Sequence, residues 1–306
     1  MPPEPGKKSH PIIGFVGVGQ IGSPIVERLL QAGFELSLHD INAQATAAFS
    51  GRARIAESSA DVARQSDIVF GCLVTADAYR AAIFGPGGLV HGDRARIYVH
   101  VGTTGPKVVR ELAAALSGRG IVTVDAAVTG GVAGARLGKL TSMVSGPRTA
   151  FESIEPCLRA YSGKIVYLGT EPGLAQSMKL VNNMLSISSL AVAAEVMVFG
   201  AKAGLSAETM LEVINNGTGQ SNATLTKVPN NILSRGFDVG SALGSVIKDL
   251  DAYRMEAKEI GIASEVCAAV INSYRRAAEQ GSLSDDISTV IRPFERAAGV
   301  EVKAGA

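Results

Sequence analysis

Lys179 and Asn183 are four residues apart in a segment that otherwise reads as a buried helix. The fifteen residues after the lysine, up to Ala194, carry no charge, whereas a surface helix normally presents charged side chains to water. Residues four apart share one helix face, so both side chains point the same way. An ammonium group beside apolar packing loses its proton more easily, which suits general acid–base catalysis near neutral pH. The alternative is a structural lysine whose stem covers apolar surface.

A second candidate is the tetrapeptide VTGG, which ends in Thr129, Gly130 and Gly131. The threonine brings a hydroxyl group, and the two glycines leave their backbone N–H groups unobstructed. Together these donors form a neutral nest that suits a carboxylate. The alternative is a flexible Gly-Gly turn that binds nothing.

A third candidate is GVGQIG, residues 17–22, at the end of a predicted strand and the start of a predicted helix. In that context the first glycine permits a tight turn and the second lets backbone N–H groups approach a pyrophosphate. The third lets the helix pack against the strand, and the helix N-terminus favours the anion. We therefore predict that a dinucleotide cofactor is bound by Gly17, Val18, Gly19, Gln20, Ile21 and Gly22.

Asp40 ends the second predicted strand, eighteen positions after Gly22. A carboxylate there accepts hydrogen bonds from an adenosine ribose and repels a 2′-phosphate. No arginine follows directly to receive that phosphate, so the sequence favours NAD over NADP. The alternative for Asp40 is the N-cap of the helical pattern INAQATAAF.

The elements that must position these residues fall into two groups. Six short strand patterns, most of them rich in β-branched residues, alternate with helical patterns in the first half, which indicates βαβ units and a parallel sheet. The strand patterns are IIGFVGV, ELSLHD, DIVFGCLV, RIYVHV, IVTVDA and KIVYLG. After them only helices are predicted, at residues 174–203, 206–215, 244–260, 264–280 and 284–298. The predicted fold is α/β: a Rossmann-type parallel-sheet domain (residues 1–170) and an all-helical domain (residues 171–306), joined by a long interdomain helix.

Composition excludes several classes of protein. The net charge of +1 and the lack of a long basic run argue against binding to nucleic acid or to an anionic membrane. Asparagines, serines and Glu195 interrupt the most apolar stretch, which argues against a membrane span. The first ten residues are polar and proline-rich, so we expect neither a signal peptide nor a helix there. Three scattered cysteines predict a reduced, cytoplasmic protein, and no histidine has the spacing of a metal site.

Four segments, in this order along the chain, resemble the signature motifs of the β-hydroxyacid dehydrogenase family. That family includes 3-hydroxyisobutyrate dehydrogenases, tartronate semialdehyde reductases and 6-phosphogluconate dehydrogenases. The resemblance spans nearly the whole chain. The segments are GFVGVGQIGSPIVERLLQAG, DAAVTGGVAGARLGKLTSMVSG, KLVNN and KDLDAYRMEAKEIGI.

The resemblance implies a role for most of the candidates. It makes Lys179 the general acid/base and Asn183 a substrate-binding residue, and it places the substrate carboxylate on the VTGG loop. Thr129 stands where the family usually has serine, and Ala127 replaces a proline, so the pocket has another shape. Thr103 would lie beside the nicotinamide and Lys248 would reach the cofactor from the second domain, although an ordinary Lys-Asp pair on a helix is the alternative for Lys248.

The function predicted from these observations is NAD-dependent hydride transfer between nicotinamide and a small 3-hydroxy acid, or its semialdehyde or 3-keto acid. The alternatives are an NADPH-dependent reductase of a small aldehyde or imine, and a non-catalytic dinucleotide sensor. We expect residues 215–230, which are rich in Asn, Ser and Thr, to face the substrate as a connecting segment. The apolar length of the interdomain helix predicts a homodimer or homotetramer formed through the helical domain.

Overall fold

The computed structural model describes residues 11–305, so the expectation for the first ten residues lies outside the described part of the chain. The chain divides into two compact units, the first ending at Lys179 and the second beginning at Leu180. Each unit is described by itself.

The first unit contains an eight-stranded sheet with the order β3-β2-β1-β4-β5-β6-β7-β8. Every neighbouring pair is parallel except β6 and β7, which are antiparallel. Only ten residues, 130–139, connect these two strands, fewer than a parallel crossover requires. The strands are β1 (Ile13–Val16), β2 (Leu36–His39), β3 (Arg54–Ile55), β4 (Ile68–Gly71), β5 (Ile97–His100), β6 (Val122–Thr129), β7 (Leu140–Ser145) and β8 (Ser162–Tyr167).

The longer helices of the first unit bury an apolar face in its core. In α1, for example, Ile25, Val26 and Leu29 follow the helical period and are fully buried. A short 3-10 helix, Leu89–His91, precedes β5. The α-helices are α1 (Gly22–Gln31), α2 (Ala43–Ala47), α3 (Ser59–Gln65), α4 (Ala76–Phe84), α5 (Pro106–Ser117), α6 (Gly131–Arg136) and α7 (Arg148–Tyr161).

The regular elements of the second unit are all helices within its described residues, apart from one isolated β-bridge between Ala242 and Asp286. These helices differ from the prediction at two places. The segment 215–230, predicted as a connection, contributes to a π-helix at Ala223–Leu233. The single helix predicted at 284–298 is a 3-10 helix, Ile287–Ile291, followed by α12. The α-helices are α8 (Leu174–Lys202), which starts in the first unit, α9 (Ala207–Asn216), α10 (Leu243–Glu259), α11 (Glu265–Glu279) and α12 (Arg292–Ala298).

Helix α8 is the one helix among the described residues that is long and apolar enough to cross a membrane, judged by length and composition. A core helix passes the same test, and Leu190, Ala194 and Met197 of α8 are buried in the core of the second unit. The opposite side of α8 exposes an apolar stripe at helical spacing. The stripe consists of Met178, Val181, Leu185, Val192, Val196 and Phe199.

Candidate cofactor and substrate site

The glycine-rich turn follows β1 directly and leads into α1. The N–H group of Gly17 donates to the carbonyl oxygen of His39 over 3.0 Å, and the φ of Gly17 is +94°. A Cβ at Gly17 would overlap the carbonyl oxygen of Cys72, whereas a Cβ at Gly19 would meet open space. The turn is therefore closed on the protein side and open on the other, as a cradle for a pyrophosphate requires.

The carboxylate of Asp40 is joined to this turn. Its Oδ2 accepts from the N–H of Val18 over 2.7 Å, and its Oδ1 accepts from the N–H of Asn42 over 2.8 Å. The N-cap of α2 is Asn42, whose side chain accepts from the N–H of Gln44, so the N-cap alternative for Asp40 is wrong. The carboxylate lies where a ribose bound beside the turn would meet it.

The next arginine after Asp40 is already engaged. Both terminal nitrogens of Arg52 donate to the carboxylate of Glu27, over 3.0 and 2.9 Å. This ion pair lowers the pKa of Glu27 below its ordinary value, chiefly through the hydrogen bond to Arg52. A 2′-phosphate would have to compete with that bidentate pair for the guanidinium group.

The loop after β5, residues 102–105, contains Thr103 and is held from two sides. On one side, the hydroxyl group of buried Tyr79 accepts from the N–H of Gly102 over 2.8 Å and donates to the carbonyl oxygen of Gly71. On the other side, Oε1 of Gln176 accepts from the N–H groups of Thr104 and Gly105 over 3.0 and 3.1 Å. The backbone on each side of Thr103 is thus fixed.

Gln176, in the first turn of α8, is fully buried. Its Nε2 donates to the carbonyl oxygen of Gly102 and to Oδ1 of Asp125, both over 2.9 Å. Its backbone N–H donates to Oδ2 of Asp125 over 3.0 Å. Burial raises the pKa of Asp125 to about 7, against the opposing effect of the hydrogen bonds from Gln176 and Gly173. These contacts fasten the first turn of α8 to β6 and to the loop 102–105.

The candidate anion loop begins with the last residue of β6, Thr129, and continues through Gly130 and Gly131. Both glycines have positive φ, +122° and +66°, and both are exposed. A Cβ at Gly131 would meet no atom of the chain within 4 Å, so its approach is open to a ligand. Consecutive N–H groups in such a conformation form a concavity that favours an anion.

Lys179 follows Gln176 by three residues on α8, and its side chain is partly buried. Asn183 lies one helical turn further on. Its Nδ2 donates to Oδ2 of Asp249 over 2.7 Å, and the Nζ of Lys248 lies 3.0 Å from Oδ1 of the same carboxylate. The Lys-Asp pair that the sequence left as an alternative therefore forms, and its carboxylate also accepts from the Asn183 amide.

Within the first unit, the sequence-predicted residues lie at the carboxyl ends of parallel strands. The glycine-rich turn follows β1, Asp40 follows β2, Thr103 follows β5 and Thr129 ends β6. Carboxyl ends of parallel strands meet at one edge of a sheet, where open α/β sheets bind ligands. The sequence does not reveal the contributions of Tyr79, Asp125 and Gln176, because each acts through a partner distant in the chain.

Two protein families match the chain in succession. Residues 12–169 match the family described as the NAD binding domain of 6-phosphogluconate dehydrogenase. Residues 173–294 match the family described as NAD-binding of NADP-dependent 3-hydroxyisobutyrate dehydrogenase. The described dinucleotide cradle and these two matches agree that the cofactor is a nicotinamide dinucleotide.

Individual proteins match over nearly the full chain. A 2-(hydroxymethyl)glutarate dehydrogenase from Eubacterium barkeri is 33% identical over 96% of this chain and 98% of its own. The solved 3-hydroxyisobutyrate dehydrogenase of Mycobacterium tuberculosis, with L-serine, is 26% identical with a TM-score of 0.83, over 92% of this chain and 98% of that one. Psf3 in complex with NADP+ and 2-OPP is also 26% identical, with a TM-score of 0.84, over 92% and 99% of the two chains.

Proposed function

Since the chain belongs to the β-hydroxyacid dehydrogenase family, we propose that it is an NAD-dependent dehydrogenase of small 3-hydroxy acids, with Lys179 as its general acid/base. The observation that carries the proposal is the tie between Gln176 and the loop 102–105. It fixes the helix turn that precedes Lys179 to the loop that carries Thr103. Hydride transfer requires that the proton-transfer group and the nicotinamide are held in a fixed relative position. The hydrogen bonds between Gln176 and the loop 102–105 support such positioning.

In this proposal, separate groups of residues bind the cofactor, bind the substrate and transfer the proton. The N–H groups of residues 17–22 and the carboxylate of Asp40 hold the pyrophosphate and the ribose, and Thr103 and Lys248 contact the cofactor further along. Thr129, Gly130 and Gly131 bind the substrate carboxylate, and Asn183 orients the substrate with the N–H that Asp249 leaves free. Oxidation takes a hydride from the carbinol carbon and a proton from its hydroxyl group. The nicotinamide, when bound, would supply the hydride acceptor, and Lys179 takes the proton of the hydroxyl group at its Nζ.

The preference for NAD rests on Asp40. Its carboxylate is fixed by the N–H of Val18, and the nearest following arginine is paired with Glu27. A 2′-phosphate at the ribose would meet a negative charge without a free positive partner from this segment.

We further propose that the chain works as a homodimer or homotetramer in the cytoplasm. The exposed stripe on α8 supports assembly, because monomers rarely expose contiguous apolar surface, and Phe199 is 74% exposed. The three unpaired cysteines support a reducing compartment.

Light scattering of the parent and of Phe199→Glu tests the assembly. An oligomer that dissociates in the variant supports it, whereas a monomeric parent at micromolar concentration contradicts it. Val213→Glu, a change of an equally exposed residue on α9, is the control.

A substrate screen tests the function itself. Oxidation of 3-hydroxyisobutyrate, L-threonate, glycerate and 2-(hydroxymethyl)glutarate is followed by NADH absorbance. Turnover of at least one of these acids, with none on the matching ester of its 1-carboxylate, supports the proposal. Dinucleotide binding without turnover of any hydroxy acid contradicts it.

A further inference from the structure

Lys227 is a second lysine beside the polar face of α8. It lies in the π-helix Ala223–Leu233 and is partly buried. Its Nζ donates to the hydroxyl oxygen of Ser186 over 3.1 Å, and within residues 11–305 this is the one hydrogen bond that the ammonium group makes. An ammonium group has three N–H donors, so two remain for a ligand.

A partly buried cation without a carboxylate partner is costly for a fold to keep. Burial lowers the pKa of Lys227, and the charge of Asp286 opposes that effect only in part. The carboxylate of Asp286 is committed elsewhere, because it accepts from the N–H groups of Gly240 and Ser288 and from the hydroxyl group of Ser288. Lys227 therefore carries a positive charge that makes no salt bridge within residues 11–305 and that Asp286 balances only in part.

The position of Ser186 places that charge along the substrate-binding side of α8. Lys179, Asn183 and Ser186 are spaced i, i+4 and i+7, which is one face of a helix. At a rise of 1.5 Å per residue, Ser186 lies about 10 Å along the helix from Lys179 and about 4.5 Å from Asn183. A substrate that reacts at Lys179 and contacts Asn183 would extend towards the Lys227 ammonium group.

We propose that Lys227 is a specificity-determining residue that binds a second carboxylate, so that the preferred substrate is a 3-hydroxy diacid. This inference rests on the proposed function. The carbinol lies at Lys179 on α8, and the far carboxylate accepts from the two N–H donors that Lys227 does not give to Ser186. A monoacid leaves these two donors unsatisfied. Its free energy of binding then includes the cost of desolvating the ammonium group, with no hydrogen bond to offset that cost.

The test compares 2-(hydroxymethyl)glutarate with its 5-methyl ester, which keeps the shape but removes the far charge. The parent should prefer the diacid in kcat/KM by about ten- to a hundredfold, the worth of a hydrogen bond between charged groups. In Lys227→Met the KM for the diacid should rise by a similar factor with kcat nearly unchanged, whereas the KM for 3-hydroxyisobutyrate should not rise and should fall if the ammonium group is desolvated by the monoacid. Lys227→Arg should restore part of the preference, and Lys202→Met, at an exposed lysine of the same unit, should behave as the parent.

Three results would overturn the inference. They are a parent that turns over diacid and ester equally, a parent that prefers L-threonate to the diacid, and a Lys227→Met variant that loses all substrates alike. The first two need no variant, so poor folding of Lys227→Met leaves the test intact. Failure of the proposed function is distinguishable, because the parent would then oxidise neither the diacid nor 3-hydroxyisobutyrate.

Discussion

Gln176 and Asp125 are joined by two hydrogen bonds, from the backbone N–H and the side-chain Nε2 of the glutamine to the two oxygens of the buried carboxylate. The remaining groups of the Gln176 side chain bind residues 102, 104 and 105. One side chain thus connects β6, the loop after β5 and the first turn of the helix that carries Lys179. The helix turn before Lys179 is therefore held by buried side chains that the proposed mechanism does not use.

Gln176→Met keeps the length of the side chain and removes its hydrogen bonds. We expect kcat to fall at least about tenfold, because small misplacement of a catalytic group costs much of its effect. Gln65→Met is the matched control, since Gln65 also lies in the first unit and accepts a side-chain hydrogen bond, from Ser37. Steady-state kinetics and thermal unfolding of both variants provide the measurement. Equal losses of kcat in the two variants would mean that Gln176 acts through stability alone.

The pKa of Asp125 makes stability depend on pH. The unfolded chain releases this proton near pH 4, whereas the folded chain keeps it up to about pH 7. The folded state therefore binds more protons between these values, and the free energy of unfolding falls as pH rises, by a few kcal/mol at about 1.4 kcal/mol per pKa unit. Asp125→Asn removes this contribution. In urea unfolding, the stability of the parent minus that of the variant should decline from about pH 4 and level off above about pH 7. A difference in stability that stays constant across this pH range would contradict the raised pKa of Asp125.

Asp40→Asn tests the cofactor preference. The amide oxygen can still accept from the N–H of Val18, but the negative charge that repels a 2′-phosphate is lost. The ratio of kcat/KM for NAD to kcat/KM for NADP should be well above one in the parent and should fall about tenfold in Asp40→Asn. Asp93→Asn, a change at an exposed carboxylate, is the control and should leave the ratio unchanged. A parent that uses NADP as well as NAD would contradict the prediction.

Gly131→Asn tests the anion loop. Asparagine tolerates a positive φ, and its side chain would project into the open space beside the loop. The KM for the hydroxy acid should rise about tenfold or more, with the dissociation constant of NADH, measured by fluorescence, nearly unchanged. Gly120→Asn is the control, because Gly120 has a similar φ of +71° and similar open space. An unchanged KM in Gly131→Asn would contradict the assignment of the substrate carboxylate to this loop.

The sequence was sufficient for the features that depend on local pattern. Short strand patterns, most of them rich in β-branched residues, predicted β1, β2, β4, β5, β6 and β8, and the spacing of glycines predicted the turn before α1. It was insufficient for β7, whose sequence LTSMVS lacks the apolar run of a buried strand, and for the two-residue strand β3. The role of Gln176 was missed for a different reason. Its partners lie 51 and more than 70 positions away, so only the folded chain brings them together.

The central claim, that Lys179 transfers the proton, is tested most directly by the kcat of Lys179→Ala in protein shown to be folded. We predict a loss of about 10²–10⁴-fold, the usual contribution of general acid–base catalysis. Lys179→Arg should be nearly as damaging, since a guanidinium group keeps its proton at any working pH, and Asn183→Ala should cost less. NADH binding should survive, and Lys202→Ala, near the end of the same helix, should keep full activity. A folded Lys179→Ala protein that retains most of its turnover would contradict the mechanism.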